Sequence, residues 1–239
     1  MSAAYRFLAL SDHWMARGVR RVYRQIRGFS VPAPRVLAGP ALSVVLSVKA
    51  AYYFLARVFF CEPLFKAHCA RYGRNSHTGA FLHWVQGRGE LIVGDNVTID
   101  GRCNFFFAAR YTEHPRLMIG DHTGIGHNCA FVVGKSIVIG RHCRIGSSVQ
   151  MFDSPGHPSD PADRLAGLPA RLEDVRPIEL GDNVWIGSSS IIFPGVTIGE
   201  GSVVATGSVL MNGVPPNVVV AGNPARQVAA LRPLTPGGS

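Results

Sequence analysis

The chain has 239 residues, 47% of them hydrophobic and 16% charged, with a formal net charge of +9. It is long enough to bury a real core, and too apolar for a disordered polyelectrolyte. Residues 1–75 carry twelve Lys/Arg against Asp12 and Glu62, whereas from residue 76 onward twelve Lys/Arg meet thirteen Asp/Glu, so the basic excess lies entirely in the N-terminal third and seeks an anionic surface.

Residues 1–30 read as a basic amphipathic helix, with Trp14, Val19, Val22, Tyr23 and Ile26 set among arginines. No cleavable signal is expected there, because the first thirty residues hold no uninterrupted apolar run and no small-residue cleavage site. Proline-rich breaks are expected at Val31 to Pro34 and at Gly39-Pro40. Ala41 to Phe60 is mostly apolar and long enough to span a bilayer. Its Lys49, Arg57 and dense aromatics suit a helix lying in the membrane interface, or a cap on the domain that follows. Residues 1–75 are therefore taken as a helical segment, 76–226 as the main domain and 227–239 as a Pro/Gly/Ser tail.

The main domain counts in sixes. Aliphatics fall at Val93 and Ile99, Ile119 and Ile125, Ile139 and Ile145, then at Leu180, Ile186, Ile192, Ile198, Val204 and Leu210. A glycine usually follows the aliphatic, and a small or β-branched residue stands four after it. A period of six suits neither a helix nor an alternating strand, but it suits a triangular solenoid with one hexad per side. The following glycine is expected to turn the corner. Cys103, Cys129 and Cys143 occupy the small slot, as compact apolar fillers in a reducing compartment. The count breaks after Ile99, after Phe131 and, for longest, over residues 153–177, a proline-rich stretch too long for an idle connection in a compact repeat.

That long loop holds Asp153-Ser154-Pro155-Gly156-His157-Pro158. A histidine on an excursion from a rigid scaffold is placed to act as a general base. Asp153 either orients its imidazole or forms a turn. Downstream come Asn183-Val184-Trp185-Ile186-Gly187-Ser188, Pro194-Gly195-Val196, Pro215-Pro216-Asn217 and Gly222-Asn223-Pro224.

Together these motifs, over about residues 90–230, resemble the hexapeptide-repeat O-acetyltransferases. The group includes galactoside, maltose, nodulation and exopolysaccharide acetyltransferases. The resemblance implies a left-handed parallel β-helix, a homotrimer with sites between subunits, and acetyl-CoA as donor with no metal. It implies His157 as catalytic base and the Ser188 backbone N–H as oxyanion donor. Trp185 would border both acceptor and thioester, and Thr206 and Arg226 would contact CoA. Asn128, or else Asn104, would meet the acceptor. A family lysine at the CoA nucleotide falls here on Asn212, and the N-terminal segment is far longer than in the small sugar enzymes. The implied acceptor is a glycan of a surface polysaccharide, lipopolysaccharide or lipid-linked precursor. Residues 1–60 would touch anionic membrane at the cytoplasmic face.

Two other readings fit parts of the chain. A zinc enzyme resembling the γ-class carbonic anhydrases would use His122 and His127, with His83 or His114 as a weak third ligand. A basic scaffold protein would rest on the N-terminal charge alone, without any nucleic-acid fold, and no nucleic acid is expected as partner.

Overall fold

The structure, a computed structural model, describes residues 3–233 and divides into two compact units, 1–50 and 51–239. In the first unit the expected single helix is two: α1 (Ala3–Leu10) and α2 (Trp14–Gly28). The break at 11–13 is fixed by His13, whose ring accepts the N–H of Met15 at 3.4 Å as an N-cap. Arg20 ties the pair together by donating to the carbonyls of Leu8 (2.7 Å) and Ser11 (2.8 Å). A third helix, α3 (Arg35–Ala56), begins after the Pro32-Pro34 break but runs through Pro40. Pro40 therefore does not end a segment as its sequence suggested. It lies in the second turn, where it removes a single backbone bond.

The second unit is the left-handed parallel β-helix. Sheet A stacks Arg71–Tyr72, Glu90–Val93, Arg116–Ile119, Ser136–Ile139, Ile178–Leu180 and Thr197–Ile198. Sheet B stacks His77–Thr78, Thr98–Ile99, Gly124–Ile125, Arg144–Ile145, Trp185–Ile186, Val203–Val204 and Val218–Gly222, and ends in the antiparallel strand Ala225–Ala230. Sheet C stacks Trp84–Gln86, Asn104–Phe107, Ala130–Val133, Gln150–Phe152, Ile191–Ile192 and Val209–Leu210. Two boundaries shift. The first coil begins at Arg71, not 76, because Arg71 and Tyr72 pair in register with Ile92 and Val93. Residues 227–230, assigned to the tail, continue the final strand on Val218–Gly222. Residues 234–239 lie outside the described residues.

All twelve aliphatics of the sixfold count are at most 3% exposed, and each sits over its counterpart one coil away. The period does not lapse in sheet C, where aromatic and Met side chains carry it instead. Val85, Phe105, Phe131, Met151, Ile192 and Leu210 form one column. Phe105 and Phe131 stack at 5.4 Å with their planes 9° apart. Every break in the count falls at one corner, between sheets C and A: after Phe107, after Val133 and after Phe152.

The corners turn differently from the sequence expectation. The left-handed residue stands three after the residue that ends the strand: Asn75, Asn96, His122, Asn128, His142, Ser148, Asn183 and Ser189 have φ between 55° and 61°. Short polar side chains tolerate that region best. The glycine after the aliphatic serves close approach instead. A Cβ on Gly146 would stand 2.6 Å from the Ser188 nitrogen, and one on Gly187 would collide with the Thr206 nitrogen. The small slot points inward, and its hydroxyls satisfy corner carbonyls, as in Ser76 to Gly94 (2.7 Å), Thr123 to Gly140 (2.8 Å) and Ser190 to Gly187 (2.8 Å). The three cysteines do the same weakly, at 3.2–3.4 Å, with no exposure.

The cap is supplied by α4 (Glu62–Lys66), which follows a π-helical turn at Arg57–Cys61. Phe65 is 2% exposed and lies 4.6 Å from the His83 ring and 5.5 Å from that of Phe105. His83 accepts the N–H of Cys103 at 3.1 Å, and its other ring nitrogen is buried without a partner. Burial lowers its pKa from 6.5 to about 4. The unfolded chain therefore binds this proton between those values and the folded chain does not. Stability is complete above pH 6.5 and falls as pH drops toward 4. The expected loss is about 3 kcal/mol, read as a decline in melting temperature that His83→Phe abolishes.

Candidate active site

The long loop is pinned at its neck. The Arg176 N–H donates to the Asp153 carbonyl at 2.8 Å, and Lys135 Nζ donates to the Leu172 carbonyl at 3.1 Å. The Asp153 carboxylate is fully buried and accepts the backbone N–H groups of Gly134, Lys135 and Ser136, the last two at 2.7 Å. Burial pushes its pKa up, against the pull of those three donors. The Asp153 carboxylate thus holds the neighbouring coil's corner at 134–136, and no bond joins it to His157 among the described residues.

His157 itself is exposed, just after Gly156 at φ +80°. The next turn is built from a local capping signal that stands in the sequence at Asp160-Pro161. Asp160 caps α5 (Pro161–Leu165) by accepting from Ala162 (2.7 Å) and Asp163 (3.2 Å), with Pro161 at the first helical position. Arg164 folds back to the carbonyls of Pro158 (3.0 Å) and Ser159 (2.6 Å). These contacts fix the backbone directly after His157 and leave its imidazole toward solvent.

The remaining candidates gather elsewhere. In-register stacking puts His127, Ser147, Ser188 and Thr206 in one column on the ridge between sheets B and C. The His127 ring meets the Ser147 hydroxyl at 3.0 Å. Beside them runs Asn128, whose amide donates to Ser148 at 3.3 Å and whose N–H donates to the Arg102 carbonyl at 2.8 Å. Asn104 opens the sheet C strand on the same side of the coil below. The N–H groups of Ser188 and Thr206 have no acceptor among the described residues. Register sets the two groups one coil apart, about 4.8 Å.

Trp185 is 57% exposed on the outer face of sheet B, in register with Arg144. It walls a recess of 560 Å³ shared with Arg144, Asp100 and the parallel rings of His122 and His142, 4.8 Å apart. The recess exists because Gly124 has no side chain at an outward slot that Thr98 and Arg144 fill one coil either way. Arg226 is exposed beside a smaller cavity of 240 Å³, which Asn212 also lines. The CoA-end candidate and the residue at the missing lysine's place therefore share a pocket.

His157 is not brought to this ridge within one chain. Its loop leaves the corner between sheets C and A, whereas Ser188 and Thr206 stand at the corner between B and C. The zinc candidates do not assemble either. His122 and His127 flank opposite edges of sheet B, His83 is packed under the cap against Phe65 and His114 is exposed in a loop. Among the described residues no group of three His, Cys, Asp or Glu is placed to hold a metal.

Residues 177–211 match the family described as hexapeptide repeat of succinyl-transferase. Nodulation protein L of Rhizobium meliloti strain 1021 is 38% identical over 141 residues, which is 59% of this chain and 70% of that protein. Galactoside O-acetyltransferase of Escherichia coli K12 is 34% identical over 139 residues, 58% of this chain and 63% of that protein. A hexapeptide-repeat-containing acetyltransferase of Vibrio cholerae O1 biovar eltor, solved with acetyl coenzyme A, superposes with a TM-score of 0.53 at 30% identity, covering 75% of this chain and 83% of that one. The chain belongs to the hexapeptide-repeat acetyltransferases. Relatives from Saccharomyces cerevisiae and Schizosaccharomyces pombe are matched over 56% and 48% of their own length, so the chain spans about half of them.

Proposed function

We propose that the protein is an acetyl-CoA-dependent O-acetyltransferase acting on a sugar hydroxyl of a surface polysaccharide, lipopolysaccharide or lipid-linked glycan. The observation that carries this reading is the pair of N–H groups at Ser188 and Thr206 left without an acceptor among the described residues, one coil apart and beside an exposed Trp185. Such a pair suits the amide-rich arm of CoA, whose thioester supplies the activated acetyl group.

In this reading His157 takes the acceptor hydroxyl's proton as its oxygen attacks the thioester carbonyl carbon. The Ser188 N–H stabilises the oxyanion that forms. The C–S bond then breaks, and the thiolate leaves with the proton that His157 held. Asn128 orients the acceptor and Trp185 walls its site. Because the loop and the ridge occupy different corners, the site is completed by a neighbouring copy in a homotrimer. Incubating the protein with acetyl-CoA and deacetylated cell-surface glycan tests the reading. A mass gain of one acetyl per modified sugar, with release of free thiol, is expected. Thioester consumption that occurs only to water would contradict it.

The first sixty residues, in this reading, hold the enzyme at the inner face of the cell membrane. Among the described residues one helix, Ala38–Lys66, is long and apolar enough to cross a membrane by length and composition. Its Leu42, Val45, Val48, Phe59 and Phe60 are exposed, which suits an interfacial helix as well. On α2, Arg17, Arg21, Arg24 and Arg27 supply the charge, while Arg20 is spent on the α1–α2 turn. Each surface cation contributes about 1 kcal/mol on an anionic bilayer. Replacing those four arginines with glutamine should cut co-sedimentation with anionic vesicles by at least about tenfold at low salt, leaving a salt-resistant remainder. Unchanged binding would rule out the charge contribution.

A further inference from the structure

Beside the cap lies a groove of 470 Å³, walled by Tyr52, Phe60, Leu64, Phe81 and Leu82, with Arg102 at its end. All five walls are apolar or aromatic and more than half exposed. A contiguous open apolar patch of this kind marks a binding surface more often than chance. The volume lies in the range of about 300–1,000 Å³ usual for ligand pockets. The π turn at Arg57–Cys61 shapes it: Cys61 turns inward to 6% exposure while Phe60 stays out at 65%. The Tyr53 ring, 6.0 Å from that of Phe81, braces the opposite wall.

Arg102 joins the groove to the candidate acceptor ridge. Its carbonyl accepts the Asn128 N–H at 2.8 Å, so the two residues are one coil apart on the same corner. Its guanidinium is exposed and has no acidic partner among the described residues. Along the surface the order is therefore apolar wall, lone cation, then the asparagine that faces the acceptor.

We propose that this groove binds the lipid end of the acceptor, a saccharide joined through a phosphate to a long apolar chain. The chain lies between Phe60, Leu64, Phe81 and Leu82, and the phosphate pairs with Arg102. The sugar then reaches Asn128. The proposal rests on the acetyltransferase reading of the ridge, and it narrows the acceptor to a lipid-linked glycan.

The test is equilibrium dialysis of the full chain with farnesyl phosphate, farnesol and inorganic phosphate. Farnesyl phosphate should bind at least about tenfold tighter than farnesol, as a charge-assisted bond at Arg102 implies. Arg102→Gln should bring it down to the farnesol level, and Arg102→Lys should recover most of the difference. Phe81→Ser should weaken both prenyl probes. Melting curves confirm that each variant is folded. Equal binding of the two prenyl probes, or binding insensitive to Arg102→Gln and Phe81→Ser, overturns the proposal. So does binding that is lost only when the α2 arginines are replaced, which would assign the lipid to the membrane-facing helix. Acetyl transfer to a small sugar, measured separately, keeps the two readings apart. Transfer without prenyl binding sinks the groove alone, and prenyl binding without transfer to any sugar sinks the acetyltransferase reading alone.

Discussion

Replacing His157 with alanine is expected to lower turnover by about 10²–10⁴, the usual contribution of a positioned general base. A sugar hydroxyl is too weak an acid to attack a thioester unaided. Asp153 does not compete for that proton, since its carboxylate is buried against three backbone donors. Affinity for CoA should hardly change, because in this reading CoA is held by the Ser188 and Thr206 N–H groups and by Arg226, and His157 meets only the reacting hydroxyl. Imidazole added to the alanine variant should restore part of the rate. Near-normal turnover in His157→Ala would remove the residue from the chemistry.

The largest structural effect is expected at Phe131. Its ring has no solvent exposure and stacks on Phe105 below, with Met151 in register above. Phe131→Ala opens a cavity that parallel strands on all three sides cannot close, at a cost of about 3–5 kcal/mol. For a unit of this size that is a fall in melting temperature of roughly 6–20 °C. Phe131→Leu should recover most of it. A change of about a degree would mean that the column tolerates loss of a ring, contrary to a close-packed solenoid core.

The coil was legible in the sequence because each aliphatic must meet its like one turn away, and parallel pairing fixes that distance at six residues per side. Sheet C was harder to read because Phe105, Phe131 and Met151 fill its column and break an aliphatic count without breaking the period. The role of the corner glycines was misread for a physical reason. A glycine that permits φ > 0 and one that permits close backbone contact look identical in a sequence. Only the stacked coils show that Gly146 and Gly187 serve contact, while His122 and Asn128 carry the left-handed turn. Asp153 was undecidable for a similar reason, since its partners lie 17–19 residues away across a corner. His83 looked like a spare ligand, and its packing under Phe65 depends on a cap no period announces. The α5 N-cap, by contrast, was written in Asp160-Pro161 and could have been read.

The central claim is that the loop of one copy and the ridge of another make a single site. Two inactive variants test it together: His157→Ala, and Thr206→Trp, whose exposed side chain would cover the Ser188 and Thr206 N–H groups. Neither homotrimer should turn over acetyl-CoA onto a sugar. Mixed in equal amounts, unfolded and refolded together, they should recover about a quarter of wild-type activity, the share of interfaces that pair an intact loop with an intact ridge in a random cyclic trimer. Mixed trimers verified by mass spectrometry that stay inactive would place both halves of the site in one chain and contradict the account.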